Sequence, residues 1–320
     1  MTQEVGNDIY LSIIIPLYNE EENILQLIKE LDDFFEHFDK KFEIIIIDDG
    51  SCDKSFHLLS KYAQERSYLR ILHFGVNFGQ TAAISAGFDA AQGEIVVTMD
   101  ADLQNDPRDI PLLLEKMEEG YDIVSGWRKK RKDTFLTRRL PSIIANKLIS
   151  WITNVSLHDY GCTLKSYRRE IVNHINLYGE MHRFIPALGR WCGASITEVG
   201  VNHRERKHGK SKYGLSRTFR VILDLLTVKF FLSYSTRPIQ IFGKFGLYSF
   251  LIGLASLIEV VVLKILRDRD MTGNPFLYLS VLMVIIGVQF IILGLLGEII
   301  IRTYYESQKK TTYIIKDKIN

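Results

Sequence analysis

Three polar residues, Asp100, Asp102 and Gln104, alternate along a short segment that directly follows the apolar run Glu94–Met99. Alternate residues of an extended chain point to opposite sides, but the chain turns where a strand ends, so both carboxylates can approach one ion there. Carboxylate and amide oxygens suit Mg²⁺ or Mn²⁺, which in turn bridges to phosphate oxygens. We therefore predict a divalent metal site that serves a phosphorylated ligand.

Polar residues also follow two earlier apolar runs. Ser12–Ile15 is closed by Pro16 and leads into Tyr18-Asn19-Glu20, and Ile44–Ile47 ends at Asp48-Asp49. Ligands of open α/β sheets bind in the crevice outside the carboxyl ends of the strands. We therefore expect these residues to meet the carboxylate pair in one crevice.

The glycine-rich loops that commonly hold phosphates are missing from the expected places. No G-x-G-x-x-G follows the first apolar run, and Gly209-Lys210-Ser211 has Arg204 where a P-loop requires its leading glycine. This disfavours a dinucleotide-binding domain, and a phosphorylated ligand then needs a metal ion or basic side chains as its charge partner.

The elements that must position these groups alternate in type along the first half of the chain. Apolar residues recur at helical spacing from Ile24 to Phe35, and Asn19 followed by Glu22 is typical of a capped helix start. Buried apolar runs separated by helices predict an α/β domain whose mostly parallel sheet is covered on both faces. The predicted strands are Ser12–Ile15, Ile44–Ile47, Leu69–Phe74, Glu94–Met99 and Asp122–Gly126, with helices at Gly79–Ala91 and Pro107–Glu119 among the connections.

The net charge of +2 conceals two opposed halves. Residues 1–126 hold 25 acidic and 9 basic residues, a net charge of −16, whereas residues 127–320 have a net charge of +18. The acidic half suits metal ions, and the basic half suits phosphates or an anionic membrane surface rather than nucleic acid. Three widely spaced cysteines indicate reduced thiols in the cytosol, and the first residues show no secretory signal.

Two uncharged stretches near the end of the chain indicate a membrane protein. Residues 245–263 carry one charge, Glu259, and residues 276–297 carry none, whereas a bilayer core needs roughly 20 apolar residues. We predict a hairpin of two transmembrane helices, about 242–266 and 276–301, within residues 237–305. The alternative is a pair of buried helices in a soluble core.

Basic residues flank this hairpin, which predicts that both termini and the domain before the hairpin lie in the cytosol of a multi-pass plasma or inner membrane protein. Residues 215–236 have an amphipathic pattern typical of an interfacial helix, and 140–152 resemble it; an ordinary core helix is the alternative for both. Residues 306–320 form the predicted cytosolic tail. A chain with two spans is also compatible with a homo-oligomer.

Several runs of residues resemble a known enzyme family. IIIPLYNEEENI, IIIIDDGS, VVTMDADLQNDP and DIVSGWR are similar to the inverting GT-A glycosyltransferases, whose Rossmann-like fold is then expected over residues 1–214. DYGC at 159–162, KSYRR at 165–169 and Arg206-x-x-Gly209-x-Ser211-Lys212 resemble the polyprenyl-phosphate branch, which includes dolichyl-phosphate mannosyltransferases and undecaprenyl-phosphate glucosyltransferases. The resemblance spans roughly residues 10–235, and the two-span tail resembles bacterial members.

The resemblance implies a role for each matching residue. The base and ribose of a nucleotide sugar would contact Pro16, Tyr18, Glu20, Ile47 and Asp49. The diphosphate and metal would lie at Asp100, Ala101 and Asp102, with Gln104 as a third metal ligand. Arg128 would lie beside the donor, Arg206 and Lys212 on a loop that closes over the phosphates, and Arg139 and Ser142 at the acceptor phosphate. Asp102 is a predicted catalytic residue, and so is Asp159, as a base, an orienter of a basic side chain or a sugar contact.

These assignments favour transfer of a hexose from a nucleotide sugar to polyprenyl phosphate, with inversion, at the cytosolic membrane face. The bacterial-like tail favours UDP-glucose and undecaprenyl phosphate, and GDP-mannose with dolichyl phosphate is the alternative. A processive polysaccharide synthase is a further alternative, but Ala187 replaces the glutamine of its Q-x-x-R-W motif before Arg190-Trp191. A non-catalytic scaffold would be expected to lose Asp100 and Asp102.

Overall fold

The computed structural model divides into two compact units, Met1–Val228 and Lys229–Asn320. The structure describes residues 9–129, 146–147, 149–150, 153–175, 177, 179, 181–204, 230, 238–267, 270–271 and 273–307. Of the predicted interfacial helix at 215–236, only Phe230 lies among them, and the tail from 308 onward lies outside them.

A seven-stranded sheet forms the centre of the first unit, with strand order β3-β2-β1-β4-β6-β5-β7. The strands are β1 Leu11–Leu17, β2 Phe42–Asp48, β3 Leu69–His73, β4 Ile95–Thr98, β5 Ile123–Trp127, β6 Lys165–Arg168 and β7 Ile196–Gly200. All neighbours pair in parallel except β6, which runs antiparallel to both β4 and β5. The prediction of a mostly parallel sheet is confirmed, and β6 and β7 are additions to it.

Helices cover both faces of this sheet. Those bounded within the described residues are α1 Glu21–Phe35, α2 Ser55–Glu65, α3 Gln80–Ala90, α4 Ile110–Glu118, α5 Arg169–Val172 and α6 Ile185–Trp191, with 3-10 turns at Pro107–Asp109 and Met181–Phe184. Helix α1 starts at Glu21, whose amide donates to the Asp53 carboxylate at 3.2 Å, while the Asn19 side chain accepts a hydrogen bond from the Cys52 amide. The predicted cap at Asn19 is therefore wrong, although the helix itself is confirmed.

Side-chain alternation along the strands builds two cores. Ile13 and Ile15 of β1 pack on the face covered by α1 and α4, whereas Ile14 packs on the face covered by α3. Because both faces are buried, successive residues such as Ile13, Ile14 and Ile15 are apolar, as is typical of parallel sheets. The register aligns Leu17 of β1 with Asp48 of β2, so the polar segments after both strands emerge at one edge.

The second unit contains two long helices, α7 Ile239–Arg267 and α8 Pro275–Ser307. Both are long and apolar enough to cross a membrane, with mean hydropathies of 2.2 and 2.7, and only 17% of each apolar window is buried. The helices of a soluble core would be mostly buried, so this exposure favours a transmembrane hairpin. Glycines let the two backbones approach closely, since a Cβ on Gly246 would lie 2.8 Å from the Gly287 carbonyl oxygen.

Gly93 lies just before β4, where a side chain would collide with β1. A Cβ there would lie 2.6 Å from the Ser12 amide nitrogen and 2.8 Å from the Leu11 carbonyl carbon. Because these neighbours are backbone atoms, we predict that Gly93→Ala lowers the free energy of unfolding by about 1–3 kcal/mol. Gly75→Ala, whose Cβ would have nothing within 4 Å, is the matched control.

The measurement is the unfolding midpoint of the full chain in detergent, followed by tryptophan fluorescence. All three tryptophans, Trp127, Trp151 and Trp191, belong to the first unit, so the signal reports on the sheet. Equal midpoints for the two variants would contradict the close contact between Gly93 and β1.

Candidate active site

A cleft of about 240 Å³ opens at the carboxyl ends of β1, β2 and β4. It is lined by Pro16, Leu17, Tyr18, Glu20, Asp49, Asn77, Gly79, Gln80, Asp100, Ala101 and Asp102. Seven of the residues predicted to contact a nucleotide sugar therefore lie together. Ile47 does not join them, because its side chain is fully buried in the core beneath α3.

Hydrogen bonds join the loop after β1 to the loop after β2. The Asn19 amide donates to Ser51 Oγ at 2.9 Å, and the Glu20 amide donates to Ser55 Oγ at 3.1 Å. Asn19 adopts a positive φ of 52°, a conformation that asparagine tolerates better than most residues. The two loops therefore form a continuous wall of the cleft around Tyr18 and Glu20.

Asp49 organises a second wall of the cleft, the loop 77–79. Its carboxylate accepts hydrogen bonds from the amides of Phe78 at 2.7 Å and Gly79 at 2.9 Å and from Asn77 Nδ2 at 2.9 Å. Burial raises the pKa of Asp49, and the two backbone donors partly oppose that rise. At Gly50 a Cβ would lie 2.5 Å from the Val76 carbonyl carbon, so only glycine lets this loop approach.

The Asp100 carboxylate lies beside that of Asp102 in the cleft. Asp100 accepts hydrogen bonds from Gln80 Nε2 at 2.9 Å and Thr163 Oγ1 at 2.7 Å. Removal from water, followed by the negative charge of Asp102, raises the pKa of Asp100 to about 6. Two like charges held this close form a pair that a cation would stabilise.

The two carboxylates fit a divalent ion that takes only a few of its ligands from the protein. Within the described residues, no group of three or more His, Cys, Asp or Glu side chains gathers. The protein would therefore supply two carboxylates, and Mg²⁺ is commonly held by one or two carboxylates together with substrate phosphates. The Gln104 amide donates to Asp102 Oδ1 at 3.1 Å, and its side-chain nitrogen faces the Arg204 carbonyl at 3.5 Å. Gln104 as a third ligand stays a prediction.

An ion pair between half-buried Arg128 and buried Asp159 lies at the carboxyl end of β5. Arg128 donates to both oxygens of Asp159, through Nε at 2.7 Å and through a terminal nitrogen at 3.0 Å. Burial opposes the charge of Arg128, but the Asp159 carboxylate outweighs it and the pKa of Arg128 is raised. The Gly161 amide also donates to Asp159 at 3.1 Å, so both carboxylate oxygens already accept hydrogen bonds.

Lys165, the first residue of β6, donates hydrogen bonds to the segment 159–163. Its ammonium donates to the carbonyl oxygens of Cys162 and of Tyr160, the latter at 3.3 Å. Burial lowers the pKa of this lysine. The sequence does not predict Lys165, Gln80, Thr163 and Asn77 as site residues, because their places near the site depend on the path of the folded chain. Asn77-x-Gly79 before a helix was the available signal.

Four predicted residues, Arg139, Ser142, Arg206 and Lys212, lie outside the described residues. Their roles at the acceptor phosphate and on the closing loop stay predictions. The described chain ends on that side at Arg204, whose guanidinium contacts Glu30 and Asp106, each at 2.6 Å.

Comparison with known proteins assigns the family. The model of the family described as "Glycosyl transferase family 2" matches residues 12–175. The chain belongs to glycosyl transferase family 2. The expected enzyme class and the expected relationship are thereby confirmed, and the site lies within the matched part of this glycosyltransferase.

Full-length relatives resemble the glycosyltransferase over nearly its whole chain. Dodecaprenyl-phosphate galacturonate synthase of Rhizobium johnstonii is 44% identical, over 98% of this chain and 94% of its own. Undecaprenyl-phosphate 4-deoxy-4-formamido-L-arabinose transferase of Pseudomonas syringae pv. syringae is 37% identical, over 96% and 90%. The similarity includes the region of the two apolar helices.

Solved structures share the fold of the first unit. Mannosyl-3-phosphoglycerate synthase from Rubrobacter xylanophilus aligns with a TM-score of 0.55 at 15% identity, over 69% of this chain and 74% of its own. Glucosyl-3-phosphoglycerate synthase from Mycobacterium tuberculosis, crystallised with Mn²⁺, UDP and phosphoglyceric acid, aligns with a TM-score of 0.52 at 20% identity, over 69% and 78%. The expected GT-A fold of the glycosyltransferase is confirmed.

Replacing one partner of the Arg128–Asp159 pair should destabilise the glycosyltransferase, because the other charge is then left buried without its counter-ion. We predict a loss of about 3–5 kcal/mol for Arg128→Met or Asp159→Asn alone. The double variant should lose less than the sum of the single losses, by about 0.5–3 kcal/mol. Unfolding midpoints of the four proteins in detergent measure this coupling, and strictly additive losses would argue against a direct pair.

Proposed function

We propose that the glycosyltransferase moves a sugar from a nucleoside diphosphate donor to a polyprenyl phosphate, with inversion, at a membrane surface. The observation that carries this proposal is the convergence of Asp49, Asp100 and Asp102 in one cleft of a chain that also bears two long apolar helices. Both full-length relatives named above carry a polyprenyl phosphate in their names.

The donor site follows from the cleft. Pro16, Tyr18, Glu20 and Asp49 would contact the base and ribose, and Asp100, Ala101 and Asp102 would face the diphosphate. Mg²⁺ or Mn²⁺ held by Asp100 and Asp102 would neutralise negative charge on the leaving diphosphate. A neighbour in fold was crystallised with Mn²⁺ and UDP, which supports a uridine diphosphate donor.

Asp159 is assigned to orienting Arg128 rather than to taking a proton. A phosphate monoester has a second pKa of about 6, so the acceptor is largely dianionic at neutral pH and hardly requires a base. Both oxygens of Asp159 already accept hydrogen bonds from Arg128 and Gly161. Arg128, fixed in this way, would stabilise phosphate charge beside the carboxylate pair.

The acceptor would reach the site from the lipid phase. Within the proposed organisation, 1–214 form the catalytic domain, 215–236 an interfacial helix, 237–305 the transmembrane hairpin and 306–320 a tail. Arg139 and Ser142 would hold the acceptor phosphate, while Arg206 and Lys212 close over the donor. The proposed location is the bacterial inner or plasma membrane, with the catalytic domain and both termini in the cytosol.

Three nucleotide sugars are candidates for the donor. UDP-glucose with undecaprenyl phosphate is the prediction from the sequence, whereas the relative with 44% identity favours a galacturonate donor, and GDP-mannose is a third candidate. A panel of these nucleotide sugars, given to the purified full chain with undecaprenyl phosphate, distinguishes them by transfer of label into the organic phase.

In this assay we predict that Asp102→Asn lowers sugar transfer by at least about 100-fold, because the leaving diphosphate loses its charge stabilisation. Asp33→Asn, an exposed position on α1, is the control and should keep full activity. Transfer that is equally fast in D102N, or independent of Mg²⁺ and Mn²⁺, would overturn the metal assignment. A water-soluble polymer would indicate a synthase, and no transfer from any donor would indicate a scaffold.

A further inference from the structure

The Asp100 carboxylate is fixed at both oxygens by neutral donors that come from outside its own turn. Gln80, the first residue of α3, donates to Oδ1 at 2.9 Å, and Thr163, just before β6, donates to Oδ2 at 2.7 Å. Asp102 is different, because the Gln104 amide of the same turn donates to it. The orientation of Asp100 therefore depends on two distant parts of the fold.

Thr163 is itself held in place. The Thr98 hydroxyl at the end of β4 donates to the Thr163 carbonyl at 2.7 Å. The Thr163 hydroxyl has one proton and two acceptors within reach, Asp100 Oδ2 at 2.7 Å and Asn105 Oδ1 at 3.1 Å. The carboxylate is the closer of the two and the stronger, charged acceptor. Asn105 Oδ1 in turn accepts from the Asp100 amide at 3.0 Å, so backbone and side chain of Asp100 are fixed together.

We propose that Gln80 and Thr163 are positioning residues that orient Asp100 toward a divalent cation and the donor diphosphate, an inference that rests on the proposed function. Neutral donors fix the direction of a carboxylate without cancelling its charge. Each oxygen of an ionised carboxylate has two lone-pair sites, so one hydrogen bond on each leaves the other site for a cation. Partners of this kind orient the ligands of many metal sites, and their loss commonly weakens metal affinity 10–100-fold.

The test compares Thr163→Val and Gln80→Leu, which remove the donors while keeping the approximate volume of each side chain. Thr163→Ser keeps the hydroxyl and should behave like the unmodified protein. Matched controls are Thr197→Val on the edge strand β7 and Gln64→Leu on the exposed side of α2. The full chain in detergent is titrated with Mn²⁺ in the presence of UDP, and free Mn²⁺ is measured by electron paramagnetic resonance.

We expect T163V and Q80L each to weaken Mn²⁺ binding by about 10-fold or more, with T163S and both controls unchanged. The unfolding midpoint without metal, and UDP binding without metal, should change little, which separates positioning from general destabilisation. If T163V does not fold, the Mn²⁺ affinity of Q80L alone tests the proposal.

Unchanged Mn²⁺ affinity in folded T163V and Q80L, with weakened affinity in D102N, would overturn this inference and leave the proposed function intact. Unchanged affinity in D102N as well would reject the metal site, and with it the proposed role of the carboxylate pair.

Discussion

Two carboxylates held side by side at the end of one strand are the constraint on which the arrangement of the cleft depends. Asp100 and Asp102 repel each other, and the pKa of Asp100 rises to about 6 because removal from water and that repulsion both favour its neutral form. A fold maintains such a pair only if other contacts fix it. Here those contacts come from the turn itself at Gln104 and from two distant stretches of chain, α3 and the segment before β6.

The basic side chains Arg128 and Lys165 are held by hydrogen-bond acceptors, whereas the carboxylates are held by donors. Arg128 is held by a buried carboxylate through two hydrogen bonds, and Lys165 is held by backbone carbonyl oxygens of the segment 159–163. That one segment therefore fixes Arg128 through Asp159 and Asp100 through Thr163. The positions of Asp100 and of Arg128 therefore depend on the same segment of chain.

Much of this arrangement could be predicted from the sequence, because five strands are recognisable as apolar runs and polar residues follow three of them. β6 could not, since its residues Lys165–Arg168 are polar and its pairing is with β4 and β5 far away in sequence. Gln80 and Thr163 could not be predicted either, because their contacts with Asp100 join parts of the chain that are far apart in sequence. The pattern of Asn19 followed by Glu22 predicted a helix cap. In the fold the Asn19 side chain instead accepts a hydrogen bond from the loop after β2, so a tertiary contact replaces the local one.

The reversed direction of β6 has a consequence for how such enzymes can diversify. β5 ends at Trp127 and β6 begins at Lys165, and the antiparallel register places Ser125 opposite Lys165, so the chain leaves and re-enters the sheet at the same rim. The intervening stretch is thus an insertion with both anchor points beside the cleft. Apart from the segment 159–163, which holds Arg128 and Asp100, the pairing of the strands sets neither the length nor the content of this stretch, so the sheet tolerates variation there.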